Sequence, residues 1–167
     1  MKIGTMFVYL LSILIIFAGC GEIKTDATNA LKITPNDEKT IQKYCDTKTD
    51  DIDSSEGKRY SAFELLGTDK DRIYIWLIKT VYIKNEGQDD TPESGSSVSL
   101  PVVLYIKNDG KGITIISHKW PHDGKDWGRD VVRLFPPNIR KIFPEDDAKE
   151  KLIEGMLIRA TEDFKKK

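Results

Sequence analysis

"RIYIWLIKTVYIK", residues 72–84, is the stretch on which the fold turns. Its odd positions are mostly aliphatic: Ile73, Ile75, Leu77, Val81 and Ile83. Its even positions are mostly aromatic or apolar: Tyr74, Trp76, Ile78 and Tyr82. A period of two with both sets apolar predicts a central strand that needs cover on both faces. Working outward, "YSAFELLG" (60–67) reads as a strand closed by Gly67 and the turn 68–71. "VSLPVVLYIK" (98–107) reads as another, and "ITIISHKW" (113–120) as its hairpin partner across Asn108–Gly112. Pro101 cannot donate to a ladder, so an open edge or a bulge is expected near it. "NEGQDDTPESGSS" (85–97) reads as a loop rich in turn formers. Four strands at hairpin spacing, with no helical crossover between them, predict an antiparallel meander.

The helices gather at the two ends of the chain. Thr34-Pro35-Asn36-Asp37 has the form of a helix start: Thr34 as N-cap, Pro35 in the first turn, acids at the positive end of the dipole. That helix is expected to reach about Asp46 with Ile41, Tyr44 and Cys45 inward. Asp126 is read as the cap of a short helix carrying Trp127, Val131, Leu134 and Phe135, stopped by Pro136-Pro137. Another turn or two is expected between Asn138 and Phe143. The last helix, Glu145 to Lys165, shows a stripe of Ala148, Leu152, Met156 and Ala160. The expected fold class is α+β: a four-stranded antiparallel meander with an N-terminal helix, and C-terminal helices packed on the sheet. One such domain is expected over residues 34–167.

The first twenty residues speak to location. Lys2 precedes an apolar run of thirteen, Met6 to Ala18. That is shorter than the about twenty helical residues needed to span a bilayer, and it fits the core of a secretory signal. The run ends in Phe17-Ala18-Gly19-Cys20, which resembles the lipobox of bacterial lipoproteins, with Phe where Leu is usual. The reading is a signal peptide over 1–19, lipidation on Cys20, and a flexible tether over 20–33. Two acyl chains hold a protein on a membrane stably where one does not. The expected location is the cell membrane, lipid-anchored and facing away from the cytoplasm. With Cys20 acylated, Cys45 is the one remaining thiol, read as a buried small hydrophobe.

The chain carries 26 basic and 27 acidic residues, a net charge of −1. Losing residues 1–19 removes only Lys2 and leaves a net charge near −2. No concentrated positive field remains for phosphate, so nucleic acid is excluded as a partner. The acidic run "DTKTDDIDSSEG" (46–57) lacks the glycine and the closing glutamate of a calcium loop, and reads as solvated. "SHKWPHDGKDWGRD" (117–130) gathers both histidines, His118 and His122, near Asp123 and Asp126. A zinc site needs three or four converging ligands. Pro121 argues against a helix aligning the two histidines, and a turn followed by a helix cap is the simpler reading. No G-x-S-x-G or H-E-x-x-H motif is present, and no cofactor is implied. Tyr74, Trp76, Tyr82, Tyr105 and Trp120 are the aromatic set. On a sheet face opposite the long helix they would form a binding patch; covered by the short helix and Trp127, they would form a second core.

"AFELLGTDKDRIYIWLIKTVYI", "SGSSVSLPVVLYIK" and "PHDGKDWGRDVVRLFPPNIRKIF" together resemble an exported domain found in small lipoproteins of low-GC Gram-positive bacteria. They are also similar to the extracytoplasmic C-terminal segment of beta-lactam-sensor (M56 peptidase) membrane regulators. The resemblance rests on Phe63–Gly67, Ser99–Val103, Asp123-Gly124 and Leu134–Pro136, and the chain departs from it at Lys125–Gly128. It implies an external sensing or binding accessory, and the peptidase zinc motif is absent. Two functions stand as expectations. The first is a lipid-anchored, non-catalytic accessory that binds a peptide, protein or envelope component through Tyr74, Trp76, Tyr82 and Trp120. The second is a metal-dependent envelope enzyme using His118, His122 and Asp123.

Overall fold

A computed structural model describes residues 30–53, 57–84 and 92–166. The expected signal peptide over 1–19 and the expected lipidation site Cys20 lie outside the described residues. The elements follow in the order α1 (Pro35–Lys48), β1 (Lys58–Thr68), β2 (Arg72–Lys84), β3 (Pro92–Asn108) and β4 (Ile113–Lys119). A single 3-10 turn (Gly124–Asp126) then leads into α2 (Trp127–Leu134), α3 (Pro137–Arg140) and α4 (Asp146–Lys165). The four strands form one antiparallel sheet in chain order, β1-β2-β3-β4. The protein is an α+β meander with an N-terminal helix and C-terminal helices packed on the sheet. Among the described residues, no helix is long and apolar enough to cross a membrane.

The start of α1 is built as its residues require. The Thr34 hydroxyl accepts the Asp37 N–H at 3.2 Å, and the Asp37 carboxylate accepts the Thr34 N–H at 3.0 Å. These bonds satisfy donors that the helix itself leaves open. Asp37 does a second job: its other oxygen accepts the Ile113 N–H at 3.1 Å, pinning β4 to the helix start. The expected tether gives way to packed chain by Leu31. Leu31 and Ile33 lie against the core, and the Leu31 carbonyl accepts the Thr68 hydroxyl at 2.8 Å.

Each face of β2 has its own core. The odd face, Ile73, Ile75 and Leu77, packs with Leu100, Val102 and Leu104 beneath Ile41 and Cys45 of α1. The even face, Tyr74, Trp76, Ile78 and Tyr82, packs beneath Met156 and Ala160 of α4 and beneath Leu134, Phe135 and Ile139. Side chains fully buried in either layer contribute about 1.5–3 kcal/mol each. The long helix therefore covers the aromatic face, and α1 takes the aliphatic one. Trp127 joins the α1 side, while Leu134 at the other end of α2 joins the α4 side.

Two stretches differ from expectation. β3 begins at Pro92, inside the segment read as a loop. Its serines are paired across the sheet instead of turning the chain: Ser97 meets Thr80 at 2.9 Å, and Ser99 accepts the Trp76 indole N–H at 2.9 Å. The long template of β2 overrides weak local propensity. The acidic loop after α1 is also more than solvated. The Lys79 side chain is fully buried at the far end of the odd face and donates to the Thr49 hydroxyl at 2.9 Å and the Asp50 carboxylate at 3.1 Å. A buried ammonium needs such partners, and the loop supplies them.

Candidate binding site at the end of β4

β4 ends for a covalent reason. Its register sets Val103 opposite Lys119, so continuation would set Pro101 opposite Pro121. Neither proline has an N–H to give a ladder. The chain turns away, leaving Trp120 half-buried and starting the loop that carries His122.

His118 sits on the α1 side of the strand with its side chain 8 % exposed. Both ring nitrogens are engaged. Nδ1 lies 2.9 Å from the Tyr44 hydroxyl and Nε2 lies 3.0 Å from the Asp51 carboxylate. The neutral ring with its proton on Nε2 satisfies both: Nε2–H donates to Asp51 and Nδ1 accepts the Tyr44 O–H. Burial, and then the Asp51 charge, push the Tyr44 hydroxyl up, so it keeps its proton and acts as a donor, not a nucleophile. The Trp120 indole stacks on His118 at 5.3 Å and 17°. Together these side chains clasp α1, the acidic loop and β4.

His122 is held differently. Its Nδ1 lies 2.6 Å from the Asp130 carboxylate, which also accepts the His122 backbone N–H at 3.2 Å. The other Asp130 oxygen meets the Arg133 guanidinium at 3.2 Å. The side-chain bond from His122, followed by its backbone N–H, holds the Asp130 carboxyl below the usual carboxylate range. The buried carboxylate fixes the proton on Nδ1, and Nε2 turns a lone pair outward. A cavity of 260 Å³ opens here, lined by His118, Lys119, Trp120, His122, Arg133 and Leu134. Its rim joins an indole face to exposed basic groups. That chemistry suits a carboxylate or similar anion beside a flat or apolar group.

The residues singled out from the sequence fare unequally. Tyr74, Trp76 and Tyr82 are buried beneath α4 and do not form an open patch, which corrects the expected surface. Their aromatic bulk is what the long helix needs to cover. The polar tips of the first two are satisfied internally, Tyr74 donating to Asp69 at 2.6 Å and Trp76 to Ser99. Burial pushes the Tyr74 hydroxyl up to about 12. Trp120 is the one of the four that reaches the cavity. His118 and His122 line the same cavity but are oriented by different carboxylates, and Asp123 stands exposed beside them. Among the described residues, no three His, Cys, Asp or Glu side chains come close enough to hold a metal ion. Asp126 does not cap α2 with its side chain and pairs with Arg129 at 3.0 Å instead. Asp130 and Arg133 were not legible as site residues. The eight-residue gap between His122 and Asp130 acquires meaning only once the 3-10 turn folds one back onto the other.

Comparison with protein-family models, with curated proteins and with solved structures finds no match to this chain.

Proposed function

We propose that the chain is a lipid-anchored protein of the outer face of the cell membrane, whose domain serves as a non-catalytic binding or sensing accessory. The observation that carries the reading is the sequence of residues 2–20: one lysine, an apolar run too short to span, and small residues set directly before Cys20. The resemblance to small exported lipoproteins points the same way. The binding half rests on the cavity at Trp120, where basic groups and an indole face open to solvent.

The metal-enzyme reading has less support. Both nitrogens of His118 are taken by Tyr44 and Asp51, and only His122 offers an outward lone pair. One imidazole is a poor start for a site that needs three or four ligands.

Labelling growing cells with an alkyne fatty acid tests the anchor. The full chain takes up label and fractionates with membranes, and Cys20→Ser removes the label. An unlabelled wild-type chain in the soluble fraction contradicts it.

A further inference from the structure

The two outer edges of the sheet are finished differently. On β1, the Ser61 N–H donates to the Asp46 carboxylate at 3.0 Å, and Gln42 and Arg159 donate to the Ser61 carbonyl. Side chains from α1 and α4 thus occupy the outward polar groups there. On the other side, β4 pairs only with Val103–Asn108. Among the described residues, no strand pairs with the outer side of 92–102. Residues 93–97 and Ser99 are exposed. Natural edges are commonly guarded by lysine or by covering chain. Residues 92–102 contain no lysine or arginine, and their prolines stand only at Pro92 and Pro101. What lies between is a nearly uncharged stretch of backbone donors and acceptors, with one shift of register between Ser94 and Ser97, of the kind that accepts an added strand.

The cavity described above sits at one end of this stretch, where β4 stops. Lys119 and Arg133 are exposed there, the latter with its side chain 63 % exposed and one nitrogen paired with Asp130 at 3.2 Å. At the other end stands Glu93, the one charged side chain between 92 and 102. Charge therefore sets a direction. A peptide lying along this edge with its amino end near Glu93 and its carboxyl end at the cavity matches both ends, whereas the reverse orientation opposes both. We propose that residues 93–100 of β3 take up an extended peptide as an added strand parallel to β3, its acidic carboxyl end seated against Lys119 and Arg133. This rests on the binding half of the proposed function and gives the partner its chemistry: an unfolded or exposed chain terminus carrying carboxylates.

The probe is the fluorescein-labelled peptide KTVTVTVD with a free carboxyl end, titrated by anisotropy into the full chain in detergent. Three relatives accompany it: a KTVTVTVN amide, and two forms N-methylated on alternate residues. An added strand uses the N–H groups of one alternate set only. One methylated form should therefore lose at least about tenfold in affinity while the other binds as the parent does. The amide should lose about tenfold, and Arg133→Gln should cost the free acid about tenfold while leaving the amide unchanged. Equal binding of both methylated forms, or no saturable binding up to about 1 mM, overturns the proposal. So does protection of the 93–100 amides from hydrogen exchange through dimerisation of the chain alone, which would assign the edge to a second copy. None of these results alters fatty-acid labelling, so failure here is separable from failure of the anchor.

Discussion

Cys45 shows how far burial decides a residue's chemistry. Desolvation, and then the Asp46 charge, push its thiol up to about 12, so almost none is thiolate at neutral pH. A native, lipidated chain should therefore show no fast thiol toward a colorimetric disulfide reagent at pH 8, and one thiol after unfolding in urea. A fast-reacting native thiol would mean that Cys20 is free or that Cys45 is exposed. Asp130 gives a second test at this scale. Its folded carboxyl is held low, so it adds stability above its unfolded value and loses it as pH falls through the folded one. The Asp130→Asn variant should flatten the dependence of the urea midpoint on pH below about 4 and leave the region above about 5 parallel to wild type. The flattening is partial, because Asp37, bonded by Thr34, and Asp163, bonded by Lys58, are shifted in the same direction.

At the scale of elements, the helix start at Thr34 makes a clear prediction. Thr34→Ala removes one half of the reciprocal cap and should cost about 1 kcal/mol in chemical denaturation. The two faces of β2 make another. Leu77→Ala opens the α1 side and should cost about 2–5 kcal/mol, while Trp76→Ala opens the α4 side and should cost about 3–5 kcal/mol. If Trp76→Ala leaves stability unchanged, the aromatic face is not the core described here. The strands and the terminal helices were readable because their periods are strong: two over 72–84, and near four along Leu152, Met156 and Ala160. The first half of β3 was not, because its Ser- and Gly-rich composition favours turns locally, and only the length of β2 beside it makes a strand. Which helix covers which face was also hidden. Both faces of β2 are apolar, so periodicity alone does not choose between α1 and α4.

Across the whole molecule, charge and closure divide the surface. The chain is near neutral overall, yet basic groups collect at the cavity where a proline pair ends the sheet. That site was half legible. His118, Trp120 and His122 stood out as a dense cluster, but Asp51, Asp130 and Arg133 join it only through tertiary contact. The proposed anchor lies at the opposite extreme, read wholly from residues 2–20. Its most direct test is the intact mass of the chain purified from membranes. The account predicts a polypeptide beginning at Cys20, heavier than its sequence by a diacylglyceryl group carried on that residue. A chain that still begins at Met1, or one that begins elsewhere with no added lipid mass, contradicts it.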